Sequence, residues 1–370
     1  MNKLLLNKKE RTSHMKKILT LAVLLITTCT AFAEKIQFNV KGIVDKNTSK
    51  VLFYINDMNR NNPQIIPVKN GKFSITGIEE RNAILYFMSS ETAGVIAMND
   101  GEDLNIDLIK DKIIFGSTAN IELDNMLQNI NSRAIQFDPV AEIFYKTEIA
   151  GTENSKLERE MANYYTQTSN MVVNYCLKHQ NDVTPAYIIK EFYSLLNYKQ
   201  FEQVLNPNSA YFSHPELDEA KGAFAMLAKR RPGINYHELN MIDANGKPAK
   251  LSQYLGNHYT LVDFWASWCG PYEQEVLYRK DAYKRYHNLG FDIVGVSLDS
   301  KENFWKDVIK SQELNWNQLS DLKGWESEAI VKYGLNIIPA NVLIDPTGKI
   351  IATDLTGLDL MDKLAEIYQK

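Results

Sequence analysis

The sequence predicts a chain of three parts: a small antiparallel β domain, a helical segment and a C-terminal α/β domain. Three patterns support this order. Short apolar runs at close spacing fill the first part, apolar residues three and four apart mark helices in the second, and strands alternate with helices in the third. At 370 residues, the chain is long enough for two or three domains that each bury a core.

Composition excludes several classes of protein. The chain carries 41 Lys and Arg against 45 Asp and Glu, and no long basic run follows residue 17. Nucleic-acid binding is therefore disfavoured, because neutralising phosphates needs clustered cations. Three cysteines are too few for a disulfide-dense scaffold. The histidines are scattered, no Cys/His pair has metal-ligand spacing and no glycine-rich phosphate loop is present, so the sequence predicts neither a metal nor a cofactor.

Residues 1–33 are predicted to form a secretory signal peptide. A basic segment at 15–17 precedes an apolar run at 18–26, and Ala31-Phe32-Ala33 has the small-x-small pattern of a cleavage site. The run is shorter than a bilayer span, which takes about 20 residues. We therefore expect export, to the periplasm in a Gram-negative cell, with Met15 as an alternative start. The rival interpretation is lipid attachment at Cys29, which would anchor the chain to the cell envelope, although the usual small residue is missing just before this cysteine.

Residues 34–118 are predicted to form the β domain. Apolar residues occur there in short runs bounded by turn residues. Asn70-Gly71 lies between two such runs and predicts a hairpin, because both residues tolerate positive φ. No constellation of polar residues in this part points to chemistry. The predicted strands are Ile36–Val44, Val51–Ile55, Lys72–Ile78, Ala83–Met88 and Leu104–Leu108.

Residues 119–231 are predicted to be helical. Across Leu157–His179, apolar side chains recur at steps of three and four, which is typical of a helix with one buried face. Pro185 and Pro215 stand where helices would begin, since proline is tolerated in a first turn. Cys176 lies on the apolar face, which favours a small buried hydrophobe. The alternative is a resolving thiol, which requires this helical segment to lie against the last domain.

Residues 232–370 are predicted to form the α/β domain, entered through the linker Arg231-Pro232-Gly233. A nearly continuous apolar strand, a helix closed by glycine and a second apolar strand follow one another. This order predicts a right-handed βαβ unit with a parallel strand pair. These three elements are expected at Tyr259–Trp265, Pro271–His287 and Phe291–Leu298, with further helices at Glu302–Ile309, Glu326–Tyr333 and Asp359–Gln369 and a hairpin turn at 345–348.

Cys269 is the candidate nucleophile, because it stands where the first of these strands ends and the helix begins. A thiol at a helix N-terminus faces unpaired backbone N–H groups and the positive end of the dipole, which favour the nucleophilic thiolate. Trp268 offers a flat apolar surface for docking a partner. Asp263, within the apolar strand, is a candidate buried carboxylate that would relay protons to the sulfur, and the alternative is a charge at a strand end that reaches solvent.

The stretch Val262-Asp-Phe-Trp265 followed by Trp268-Cys-Gly-Pro271 resembles the thioredoxin active-site motif. The third part as a whole resembles the exported TlpA/ResA branch of the thioredoxin-like superfamily. Residues 246–256, which lead into the first core strand, match that branch. An AhpC/TSA-type redoxin match is expected for this part. The part upstream is similar, more weakly, to the N-terminal region of such proteins of Bacteroides type. The resemblance implies a thioredoxin-like fold, thiol–disulfide chemistry at Cys269 assisted by Asp263, and a cis-proline loop facing the cysteine. It implies a substrate-binding surface made of Trp268, Gly270, Pro271, Tyr272, Ile338 and Pro339.

Tyr272 is a departure from that family, whose enzymes have a second cysteine three residues after the first. Releasing a mixed disulfide requires a thiolate that attacks the bonded sulfur. A phenol with a pKa near 10 does not supply one. Tyr272 is instead expected to donate a hydrogen bond to the sulfur of Cys269 or to cover it.

Three functions remain open at this point. The first is monothiol exchange through Cys269 with disulfide- or thiol-bearing exported proteins, completed by an external thiol reductant, a second substrate cysteine or Cys176. The second is a catalytically silent binding module that uses the face around Trp268 and Pro339. The third, a one-cysteine peroxidase, is disfavoured because Ala266 stands where Thr or Ser is wanted and no matching proline lies upstream.

Overall fold

The computed structural model describes residues 34–368 with three gaps, at 57–59, 91–92 and 150–154. The predicted signal peptide and Cys29 lie outside the described residues. Among the helices in the described part of the chain, none combines the length and the apolar character needed to cross a bilayer.

The N-terminal β domain consists of two four-stranded sheets, with strand orders β4-β1-β7-β8 and β3-β2-β5-β6. β1 pairs with β7 in parallel, whereas the pairs β2–β3, β2–β5, β5–β6 and β7–β8 are antiparallel. Asn70 and Gly71 both adopt positive φ in the turn before β4, as their residue types predict. The strands are β1 Lys35–Ile43, β2 Lys50–Ile55, β3 Gln64–Pro67, β4 Lys72–Glu80, β5 Ile84–Met88, β6 Gly94–Met98, β7 Leu104–Asp107 and β8 Lys112–Phe115.

The helical segment packs on the second of these sheets. Tyr54, Ile84 and Tyr86 of the sheet share one hydrophobic cluster with helix residues that include Cys176. Pro185 is the first residue of a helix, whereas Pro215 begins a 3₁₀ turn. The helices are α1 Thr118–Ile149, α2 Ser155–Lys178, α3 Pro185–Phe192, α4 Tyr198–Val204 and α5 Asp218–Ala228.

The C-terminal domain has a seven-stranded sheet of order β10-β9-β13-β12-β11-β14-β15. The interior strand β11 pairs in parallel with β12 and antiparallel with β14, so the predicted βαβ unit and the fold class are confirmed. The strands are β9 Asn240–Asp243, β10 Pro248–Lys250, β11 Tyr259–Trp265, β12 Phe291–Ser297, β13 Asn317–Ser320, β14 Ala340–Ile344 and β15 Ile350–Thr353. The helices are α6 Tyr272–Tyr286, α7 Glu302–Ser311, α8 Glu328–Tyr333 and α9 Leu358–Tyr368.

Arg230, just after α5, joins the helical segment to the C-terminal domain. Its buried guanidinium donates to the carbonyl oxygens of Tyr333 (3.2 Å) and Gly334 (2.7 Å) and pairs with Asp354 (3.1 Å). Gly334 has a φ of 61°, and a Cβ there would lie 2.1 Å from the carbonyl oxygen of Met226. Only glycine therefore allows the two backbones to approach this closely.

The predicted linker is packed, since the Gly233 amide donates to the Ile350 carbonyl at 2.7 Å. The start of α2 also contacts the C-terminal domain, where Glu158 accepts a hydrogen bond from the Tyr278 hydroxyl. Cys176 lies about 27 Å farther along α2, at 1.5 Å per residue. It is a fully buried free cysteine in a different hydrophobic cluster from Cys269, and burial raises its pKa. The interpretation as a small buried hydrophobe therefore holds.

Arg230→Ala is expected to lower the free energy of unfolding by about 2 kcal/mol, because it removes charge-assisted hydrogen bonds and leaves two carbonyls without them. Urea denaturation followed by circular dichroism measures the change. Arg285→Ala, which removes an exposed arginine paired with Asp281 in α6, is the matched control and is expected to cost under about 0.5 kcal/mol. Equal losses in the two variants would contradict the role given to Arg230.

Candidate active site

Cys269 lies in the short segment between the end of β11 and the start of α6. This segment is a tight turn, in which the Cys269 amide donates to the Ala266 carbonyl and the Tyr272 amide donates to the Cys269 carbonyl, both at 3.0 Å. The thiol is free and 8% exposed. Its sulfur is 3.6 Å from the carbonyl oxygen of Ile338, to which it donates, and the Ile338–Pro339 peptide bond is cis. The structure thus brings Cys269 and the proline loop together, as the resemblance implied.

Burial raises the pKa of the Cys269 thiol, and the nearby Asp263 carboxylate adds to this effect. Hydrogen bonding from the Tyr272 backbone amide acts in the opposite direction, as expected for a thiol that precedes a helix. Burial and the Asp263 charge together outweigh this hydrogen bond, and the pKa of Cys269 is raised overall. The surroundings therefore oppose the expected stabilisation of the thiolate by the helix N-terminus. The hydrogen bond from the Cys269 thiol to the Ile338 carbonyl also favours the protonated form, because a thiolate has no proton to donate.

Tyr272 fills the position of the missing second cysteine with a buried ring. The ring stacks on Trp265 with a centroid distance of 4.9 Å and an interplanar angle of 17°. Its hydroxyl makes no hydrogen bond of good geometry within the described residues, so the expected bond to the sulfur of Cys269 is absent. The hydroxyl instead interacts with the Asp263 carboxylate, whose Oδ2 is also unpaired, and burial raises the Tyr272 pKa well above its ordinary value.

Asp263 is fully buried in β11, so the alternative of a strand-end charge in solvent is excluded. Its Oδ1 accepts from Nε and Nη2 of Arg279, both at 3.3 Å, and Arg279 of α6 is itself fully buried. The second partner of Arg279 is Glu275, which also accepts from the Gly357 amide at 3.2 Å. Burial raises the pKa of Asp263 and the Arg279 charge opposes the rise. This ion pair was not expected from the sequence.

The exposed part of the site is apolar. Trp268 is 53% exposed and lies beside Trp325, which is 49% exposed, with a ring-centroid distance of 6.0 Å and an angle of 44°. Gly270 and Pro271 are exposed as well. The predicted substrate-binding residues are therefore divided, with these three at the surface and Tyr272 in the interior.

Asp299 holds the start of the cysteine segment. Its carboxylate accepts from the Ser267 hydroxyl at 2.6 Å and from the Ser267 amide at 3.0 Å, and from the Ser297 hydroxyl at 2.7 Å. Asp299 is buried just past the end of β12, so it ties the segment to the edge of the sheet. Its position two residues after an apolar strand was the only sequence signal for this role.

A small cavity of about 40 Å³ borders the cysteine. It is large enough for a water molecule but not for a substrate. Within the described residues, no group of three or more His, Cys, Asp or Glu side chains could hold a metal ion. The cavity is lined by Ala266, Ser267, Cys269, Tyr272, Glu273, Val276, Val308 and Gln312.

Comparison with known proteins places this site in a family. A model of the AhpC/TSA family matches residues 232–353. The thiol-disulfide oxidoreductase ResA of one Bacillus cereus strain is 29% identical over 150 residues, and that of another strain is 30% identical over 150 residues, in each case 40% of this chain and 84% of the relative. The chain belongs to the TlpA/ResA-type thioredoxin-like family.

Among solved structures, a thiol-disulfide oxidoreductase from Bacteroides fragilis is 34% identical, with 36% of this chain and 99% of that chain covered and a TM-score of 0.35. The thioredoxin domain of a Bacteroides vulgatus thiol-disulfide oxidoreductase is 31% identical, with 37% and 98% covered and the same TM-score. Within this ResA-type chain, Cys269 lies just before α6, and Tyr272, three residues later, is a buried ring stacked on Trp265.

Alkylation of Cys269 by iodoacetamide, in protein carrying Cys176→Ala, is expected to titrate above the ordinary thiol value of about 8.5. Asp263→Asn removes a negative charge and should lower this pKa, which raises the rate at pH 7.5 about threefold. Arg279 keeps Glu275 as a partner in this variant. Asp281→Asn, at an exposed position of α6, is the control. An unchanged rate in Asp263→Asn would mean that Asp263 carries no charge near the sulfur.

Proposed function

We propose that this chain uses Cys269 as a single thiol that exchanges with disulfides of exported partner proteins. The observation that carries the proposal is the position of one free thiol between the exposed Trp268 and the cis Ile338–Pro339 bond, with a tyrosine in place of the second thiol. Membership of the ResA-type family supports thiol–disulfide chemistry at this position. The single-thiol mechanism follows from Tyr272.

In the proposed step, the Cys269 thiol first loses its proton to solvent. The thiolate attacks one sulfur of the partner's disulfide, a new sulfur–sulfur bond forms, and the partner's other sulfur leaves as a thiolate that takes up a proton. The electrons balance within this exchange, since one disulfide is replaced by another. No metal or cofactor is needed.

Release of the partner then requires a second thiol from outside the site. Cys176 is unsuited, because it is fully buried in the helical cluster and its pKa is raised. The remaining candidates are an external thiol reductant and a second cysteine of the partner itself. Tyr272 supplies no thiolate, and burial raises the pKa of its hydroxyl well above the ordinary value.

A binding module without turnover is the second candidate function. The specific observation in its favour is the raised pKa of Cys269, which lowers the thiolate fraction at neutral pH. In that case the apolar surface around Trp268 would hold a partner without covalent exchange.

We also propose that the mature protein is exported and begins at Glu34. The support is the order of basic, apolar and cleavage-site residues in 1–33. N-terminal sequencing of protein recovered from the periplasmic fraction tests this, and a lipid-modified Cys29 at the N-terminus would instead assign the chain to the membrane surface.

Reduced protein carrying Cys176→Ala is expected to form a mixed disulfide with a chain of oxidised insulin, because the remaining thiol is next to an apolar docking surface. Mass spectrometry after acid quenching detects the adduct on the peptide that contains Cys269. The variant that also carries Cys269→Ser should give none. If Cys269 reacts with iodoacetamide but with no disulfide, the exchange function is wrong and the binding-module function takes its place as the leading candidate.

Tyr272→Cys is expected to raise the rate of insulin reduction by dithiothreitol at least about tenfold, because the introduced thiol attacks Cys269 in the mixed disulfide and releases the substrate. Turbidity of precipitating insulin chains follows the reaction. Tyr272→Ser is the matched control, since it removes the same ring and introduces a group of similar size that is not a thiol. A gain shared by both variants would show that removal of the ring, and not the second thiol, is responsible.

A further inference from the structure

Trp325 is an exposed aromatic residue that the proposed chemistry does not use. It packs side by side with Trp268, and both indoles remain about half exposed, whereas Trp305 and Trp316 of the same domain are buried. Large apolar side chains that stay exposed in a cluster commonly mark an interaction site. Aromatic residues of this kind dominate the energetics of protein interfaces.

The loop that carries Trp325 is held in place before any partner binds. The Ser320 hydroxyl donates to the Ser297 carbonyl at 3.0 Å and accepts from the Leu322 amide at 3.1 Å. Asp321 accepts from the amide of Glu328 at 3.1 Å, which ties the loop to the start of α8. A surface that is already ordered loses little conformational entropy on binding.

Another exposed apolar side chain belongs to the loop that contacts the sulfur. Ile337 is 53% exposed and directly precedes Ile338, whose carbonyl accepts from the Cys269 thiol. Exposed apolar residues are therefore adjacent in sequence both to the thiol, at Trp268, and to the residue it contacts, at Ile337. A chain segment that brings a disulfide to Cys269 must place its neighbouring side chains on these surfaces.

We propose that Trp268 and Trp325, hereafter the tryptophan pair, bind a large apolar side chain next to the disulfide-bonded cysteine of an unfolded or extended partner segment. The ring centroids are 6.0 Å apart and the ring planes are inclined by 44°, so the two indoles are close enough for one aromatic side chain to contact both. The proposal rests on the single-thiol exchange proposed above. It makes Trp325 a specificity residue that acts through binding of the partner, and the sulfur chemistry is that of the exchange step already given.

The test uses two peptides, Gly-Phe-Cys-Gly and Gly-Ala-Cys-Gly, each with its cysteine in a mixed disulfide with thionitrobenzoate. Exchange with Cys269 releases the coloured thionitrobenzoate thiolate, which gives the rate in protein carrying Cys176→Ala. The Phe peptide is expected to react about tenfold faster than the Ala peptide, because its ring is partly buried on the tryptophan pair. Trp325→Ala should reduce this preference to about twofold, and Trp325→Phe should keep most of it.

Leu289→Ala is the matched control. It removes another exposed apolar side chain of the same domain. Leu289 lies just before Phe291, the first residue of β12, which pairs with Tyr259 at the start of β11. It is therefore at the opposite end of β11 from Cys269. This variant should keep the tenfold preference. Alkylation by iodoacetamide, which has no group for the tryptophan pair, reports in every variant whether the thiol itself has changed.

The outcomes separate this inference from the function on which it rests. If both peptides exchange but the preference is absent, or survives in Trp325→Ala, the inference is overturned and the exchange function stands. If neither peptide exchanges while iodoacetamide reacts, the exchange function fails. Docking is then measured by itself, from the anisotropy of a fluorescein-labelled Gly-Phe-Ser-Gly peptide bound to protein carrying Cys269→Ser. Adding Trp325→Ala to this protein must weaken peptide binding about tenfold. If it does not, the inference fails as well.

Discussion

The architecture of the site depends on the buried ion pair between Arg279 of α6 and Asp263 of β11. Neither side chain is exposed, and two guanidinium nitrogens lie 3.3 Å from one carboxylate oxygen. A buried charge without its partner is strongly destabilising, whereas a paired and hydrogen-bonded one is tolerated. The pair therefore holds the first half of α6 against β11. The segment that carries Cys269 connects these two elements, so its position follows from theirs.

The same ion pair changes the role that the sequence assigned to Asp263. A proton relay needs a continuous path of hydrogen bonds from the carboxylate to the sulfur. One carboxylate oxygen is occupied by Arg279, and the other faces the Tyr272 hydroxyl, which makes no hydrogen bond to Cys269. The path is thus interrupted at the position where the family has its second thiol. Asp263 acts on Cys269 through its charge, which disfavours the thiolate.

Local sequence patterns were sufficient to predict the central βαβ unit, because the buried strand, the helix and its glycine stop are each encoded by adjacent residues. They also placed Cys269 at the junction of strand and helix, whereas the loop at Pro339 was implied only by the family resemblance. Arg279 was not predicted, because an arginine four residues after Glu275 on a helix is typical of an exposed ion pair. Only the packing of α6 on β11 shows that it is buried. The exposure of Trp325 was not predicted for the same reason, since exposure depends on neighbours distant in sequence.

In the proposed exchange, binding of the partner contributes more than the intrinsic reactivity of the Cys269 thiol. Burial raises the pKa of the Cys269 thiol, which also donates to a carbonyl, so the surroundings disfavour the nucleophilic thiolate. Binding of a partner segment beside the sulfur raises the effective concentration of its disulfide, and this compensates for a low intrinsic rate only in partners that bind. In the proposed single-thiol mechanism, a mixed disulfide would persist once formed, because Tyr272 supplies no thiolate to break it. Such a mechanism would select partners by docking and retain them until an external thiol arrives.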